Sequence, residues 1–167
     1  MLALALAGCG AAPERPTLAP PAKPRTIELD WNEPFRSAGF VFRVERLVIG
    51  DDGWRVTVSV ENDSRSSYRI GRQSVGLVLL ETETKKELQE LTDGLERTPP
   101  SLRPDRVTPR APALLRPGQV WKAEFESSVV LRTGSVVRVL FGPFTRIGAR
   151  GRESADVLWV TDHAVRI

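Results

Sequence analysis

The chain has 167 residues, with 24 basic side chains facing 21 acidic ones, a net charge of +3, one cysteine and one histidine. That length suits a single domain able to bury its own core, and 41% hydrophobic with 27% charged residues excludes a disordered chain. The balanced charge and an arginine skew best ascribed to coding bias exclude nucleic acid as an expected partner. One cysteine excludes an intrachain disulfide and CxxC metal or redox motifs.

In chain order, Leu2 to Ala7 is an unbroken run of Leu and Ala that ends in Gly8-Cys9. An apolar run closed by small residues is the layout of a signal h-region and cleavage site. Six residues fall short of the roughly 7–15 of a full h-region, and no Lys or Arg precedes them. Leu6-Ala7-Gly8-Cys9 resembles the lipobox of bacterial lipoproteins. The resemblance implies a diacylglyceryl group on the Cys9 thiol, cleavage before it, and acyl chains such as palmitate as a membrane anchor. Two or more chains hold stably where one does not. Gly10 stands where Asp would resemble an inner-membrane retention signal.

From Gly10 to Arg25 the sequence carries prolines at 13, 16, 20, 21 and 24 and little to bury. Such a segment favours polyproline II and serves as a tether of about 3.1 Å per residue. The expected organisation is therefore 1–8 residual signal peptide, 9–25 lipidated cysteine and disordered Pro-rich linker, and 26–167 a single domain.

Within that domain Trp54 to Glu61 alternates apolar and polar residues strictly, the mark of a strand with one buried face. Phe40 to Ile49 is a second strand, and Gly50-Asp51-Asp52-Gly53 joins the two as a hairpin. Further strands are expected at Ser67–Ile70, Ser74–Glu81, Gln119–Glu126, Ser135–Phe141, Asp156–Val160 and Ala164–Ile167. The best helical pattern is Thr84 to Leu95, with Leu88, Leu91 and Leu95 on one side. About eight short strands predict an all-β, antiparallel β-sandwich, with a closed barrel as the alternative.

Two passages, Val58 to Ser64 and Leu115 to Trp121 leading into Phe125, resemble the "strand, Asn, turn" and "Leu-x-Pro-Gly, then strand" elements of immunoglobulin-like domains in bacterial lipoproteins of unknown function. The resemblance implies an immunoglobulin-like sandwich without the Cys–Trp–Cys core of antibody domains. It implies no activity.

The chemistry-bearing residues are few. His163 is the sole histidine, beside Asp162, and no G-x-S-x-G elbow or phosphate loop accompanies it. A turn histidine is the simpler reading. Asp51, Asp52, Glu61 and Asp63 lack the spacing of an EF-hand, and Asn62-Asp63-Ser64 reads as a turn before it reads as a glycosylation sequon. Trp31, Trp54, Trp121 and Trp159 are each in phase with apolar neighbours and are expected to face the core. No cofactor or metal is expected.

Arg97 to Pro117 carries six prolines and five arginines against one acid, Asp105. A connection this long is either a solvated insertion or a functional loop. As a loop it could meet an envelope protein or an anionic cell-wall polymer through Arg103, Arg106 and Arg110. The resulting expectation is a non-catalytic protein of the cell envelope, lipid-anchored through Cys9 on the extracytoplasmic side, acting as a protein-interaction module. A glycan or small-ligand binding module is the alternative.

Overall fold

In the computed structural model, residues 18–70, 75–80, 103–148 and 153–167 are described, with backbone alone for 75–80, 153–156 and 158. Cys9, most of the tether and the Thr84–Leu95 pattern lie outside them.

Among the described residues ten strands form an antiparallel sandwich, as the alternation of the sequence predicts. The first sheet has the order β1 (Arg25–Phe35), β2 (Phe40–Gly50), β3 (Gly53–Asn62), β7 (Val120–Ser127), β6 (Arg106–Thr108). The second is built around one long strand, β8 (Val136–Ile147). On one side β8 pairs successively with β4 (Ser67–Ile70) and β5 (Val75–Leu80), and on the other with β9 (Glu153–Val160) and β10 (Val165–Arg166). The second sheet is thus three strands wide, with two of its rows each made of two collinear pieces.

The core lies between the sheets. Even positions of β3, Trp54, Val56, Val58 and Val60, are all at most 2% exposed. In β2 the inward set is Phe40, Phe42 and Val44, then Leu47 and Ile49. A bulge between Val44 and Arg46 shifts the phase by one residue. The matching irregularity in β1 lies between Glu28 and Trp31, where Asp30 takes a left-handed φ of 47°. Phe42 packs against Phe141 at 4.2 Å between ring centroids and contacts Phe144 and Trp159 as well.

The linker boundary moves. Thr133 N–H donates to the carbonyl of Pro20, Ala22 N–H donates to the carbonyl of Leu131, and Ala22 is buried. The end of the stretch expected to be linker therefore packs on the β7–β8 connection. Proline costs nothing there, because the contact uses its carbonyl and not a missing N–H.

Where β3 ends, Asn62 is fully buried and every polar atom of its side chain is used. Nδ2 donates to the carbonyls of Ser66 at 2.8 Å and Leu115 at 2.9 Å, while Oδ1 accepts from the Ser64 N–H at 3.0 Å and the Ser64 hydroxyl at 2.6 Å. Its backbone also bonds Gln119 and Gly118. A buried, saturated amide is not a glycosylation acceptor, so the turn reading of Asn62-Asp63-Ser64 stands. Tyr68 continues the junction, pairing its backbone with Leu115 and donating its hydroxyl to the Ala38 carbonyl at 3.0 Å.

Asn62→Ala removes one donor each from the buried Leu115 carbonyl and the part-buried Ser66 carbonyl and the acceptor of the Ser64 N–H, and is expected to cost about 3 kcal/mol. Thermal denaturation should show a fall of roughly 6–12 °C. Asn62→Asp should be no milder, since its carboxylate would face carbonyl oxygens. A second contrast concerns two turn glycines. At Gly53 (φ 141°) an added Cβ would sit 1.9 Å from the Ser127 carbonyl oxygen, whereas at Gly118 (φ 74°) nothing lies within 4 Å. Gly53→Ala should lose several kcal/mol and Gly118→Ala about 1 kcal/mol by the same measurement.

Candidate interaction site

Over its described part the basic connection is largely exposed but is tied to the sandwich. β6 falls inside it and pairs antiparallel with β7, placing Arg106 opposite Glu126 and Val107 opposite Phe125. Val107 and Ala111 pack against the core, and Leu115 is 1% exposed. Three devices hold the segment down. Asp105 accepts from the Ser128 N–H at 2.6 Å and its hydroxyl at 2.8 Å. Those bonds, the backbone one foremost, hold the Asp105 carboxyl below its usual pKa. Trp121 Nε1 donates to the carbonyl of Pro109 at 3.4 Å. The Leu115 end is tied to Asn62 and Tyr68.

Pinned at both ends, the segment frames a groove of about 550 Å³ at one side of the sandwich. Its apolar surface comes from half-buried Val107 and Ala111 and exposed Pro112 and Ala113, backed by the buried Ile70, Trp121 and Phe125, and Asp105, Arg106 and Arg110 stand around it. That volume lies in the range of sites that enclose a ligand or a short peptide stretch.

The three arginines expected as contacts differ. Arg106 forks onto Glu126, so its charge is matched within the first sheet. Arg103 is half-buried and engaged with neighbours. Arg110 is exposed, lines the groove and has no hydrogen-bond or ion-pair partner among the described residues. The sequence placed all three in one loop, but only the register of β6 with β7 separates the matched cation from the unmatched one.

The tryptophans divide. Trp54 and Trp121 are buried, as expected. Trp31 and Trp159 face the core side but remain half-buried where β1 overlies β9. Trp159 stacks on Phe35 and Phe141, and Trp31 stacks on the His163 ring at 5.2 Å. One face of Trp31 is therefore covered by His163, which is a poor start for a sugar-stacking platform.

His163 sits in the turn between β9 and β10 with its side chain 56% exposed. Its ring faces Glu33 and Trp31 and makes no hydrogen bond to a hydroxyl among the described residues. No group of three or more His, Cys, Asp or Glu side chains suited to a metal occurs among those residues. Sequence reasoning missed Glu33, an acid at an inward position of β1. Its only signal was that it shares the phase of Trp31 and Phe35.

No family model matches the chain, and no curated protein and no solved structure is significantly similar to it. The functional reading therefore rests on the residues of this chain alone.

Proposed function

We propose that the protein is a lipid-anchored, non-catalytic interaction module of the cell envelope that receives an acidic segment of a partner in the groove beside β6. The observation that carries this reading is the pairing of an apolar wall with one unmatched, exposed guanidinium, Arg110. An apolar surface with a single free cation suits a partner that brings an apolar side chain beside a carboxylate or other anionic group. Arginine also binds planar anions in a two-pronged geometry that lysine cannot match. The lipobox-like Leu6-Ala7-Gly8-Cys9 and the Pro-rich stretch after it support the anchoring half, since a tether lets a small domain reach partners away from the lipid surface. Anionic cell-wall polymer remains within the same chemistry as an envelope protein.

Two outcomes follow. With the full chain expressed in a bacterial envelope, Arg110→Glu should weaken retention of the bound envelope component about ten-fold or more. Arg106→Ala should leave binding near wild type and cost at most about 1 kcal/mol of stability, because it removes a surface pair. Equal retention by wild type and Arg110→Glu across a salt series would remove the groove from the reading. Separately, Cys9→Ala should move the protein from the membrane pellet to the soluble fraction. Mass spectrometry of the wild-type membrane form should find acylated Cys9 as first residue.

A further inference from the structure

At the opposite side of the sandwich from the groove, β1 carries a carboxylate toward the interior. Glu33 is 7% exposed, and its oxygens have no side-chain hydrogen-bond donor among the described residues, only the backbone N–H groups of Asp162 and His163 facing them beyond good hydrogen-bond geometry. Leaving a carboxylate buried and unpaired is expensive unless something compensates its charge. The compensating group comes from the other end of the chain. His163 Nε2 lies 3.5 Å from Glu33 Oε1, and the same ring is stacked on Trp31, two residues earlier on β1. Burial pushes the Glu33 carboxyl above its usual pKa, with His163 pulling it back.

The turn that brings His163 there is anchored at its base. Thr161 is fully buried, donates its N–H to the Val139 carbonyl at 2.9 Å, and uses its hydroxyl to accept from Val139 N–H and donate to the His163 carbonyl. Beyond the turn β10 makes only two register pairs with β8, and Ile167 fills the core. The C-terminal piece is therefore light in sheet pairing, and the contact from His163 to β1 is one of the few that cross to the other sheet. Arg25 adds a second, donating to the Arg166 carbonyl at 3.2 Å.

We propose that Glu33, His163 and Trp31 form a protonation-controlled clasp that fastens the β9–β10 turn to β1. With the imidazole protonated, the turn is drawn onto β1 by an ion pair while the ring remains stacked on Trp31. With the imidazole neutral, the buried carboxylate has no counter-charge and the turn loosens. The titratable groups facing the Glu33 carboxyl are His163 and Asp162, both from this turn. Opposite it, β2 presents Phe42. Asp162 repels the carboxylate, which leaves His163 as the group able to neutralise it. The clasp is independent of the groove reading and stands whether or not Arg110 binds a partner.

The sign follows from linkage. A carboxyl whose folded pKa is raised lowers stability as pH climbs above the unfolded value, and the deficit is complete above the folded one. Glu33→Gln removes that deficit, so its stability relative to wild type should improve with rising pH. The sharper test is a double-mutant cycle of Glu33→Gln and His163→Gln, by denaturant unfolding of the full chain at about pH 5.5 and about pH 8. The coupling should favour folding by roughly three- to ten-fold at the lower pH and fall to about one at the higher. A coupling equal at both values, or absent at the lower, overturns the clasp. If a variant does not fold, amide exchange in the wild type decides. Protection at Thr161 and Ile167, corrected for intrinsic rates, should fall between the two pH values, and unchanged protection overturns the proposal.

Discussion

The side-chain amide of Asn62 ties the end of β3, the turn that leads to β4 and the end of the basic segment into one junction, which the backbone pairing of Tyr68 with Leu115 completes. Its two donors and its carbonyl reach Ser66 on the way to β4, Leu115 at the end of the basic segment, and Ser64 in its own turn. Inside the sandwich each of these bonds replaces one to water, and leaving any of them unmade costs more than forming it gains. The constraint is geometric as much as energetic. With Leu115 fixed to Asn62 and Tyr68, and β6 fixed to β7, residues 109–114 have little freedom, and the groove acquires a definite wall.

That arrangement explains why a proline-rich, arginine-rich stretch can be part of the fold. Pro104 and Pro109 bracket β6 and limit its pairing to three residues, which keeps the outer edge of the first sheet short. Asp105 accepts from Ser128 and Glu126 accepts from Arg106, and neither acid engages Arg110. At the other side, the Glu33–His163 contact and the hydrogen bond from Arg25 to the Arg166 carbonyl tie the C-terminal piece to β1.

Much of the fold was legible because period-two alternation is a direct imprint of a half-buried strand. β2, β3, β4, β5 and β7 fall within a residue or so of where alternation and turn residues place them. β1 escaped although Ile27, Leu29 and Trp31 alternate with polar residues, because Glu33 puts a charge on the inward face and Pro34 follows it. β6 escaped because three residues between prolines carry no period at all. β8 runs on past Phe141, where Gly142-Pro143 reads as a stop. The register with β9 shifts between Phe141 and Phe144, so the missing proline N–H has no ladder bond to break. For the site, charge density pointed to the right loop but not to the right arginine, since Glu126 lies 20 residues from Arg106. The Glu33–His163 contact spans 130 positions and leaves no local trace.

The dependence of the groove on Asn62 can be measured without a partner. In a proton–nitrogen correlation spectrum the Asn62 side-chain NH2 should appear as a pair of protons that exchange with solvent orders of magnitude more slowly than those of an exposed amide, because the amide is fully buried and both protons are bonded to carbonyls. Fast exchange of that pair in a folded protein would contradict the junction, and with it the fixed groove wall on which the functional reading is built.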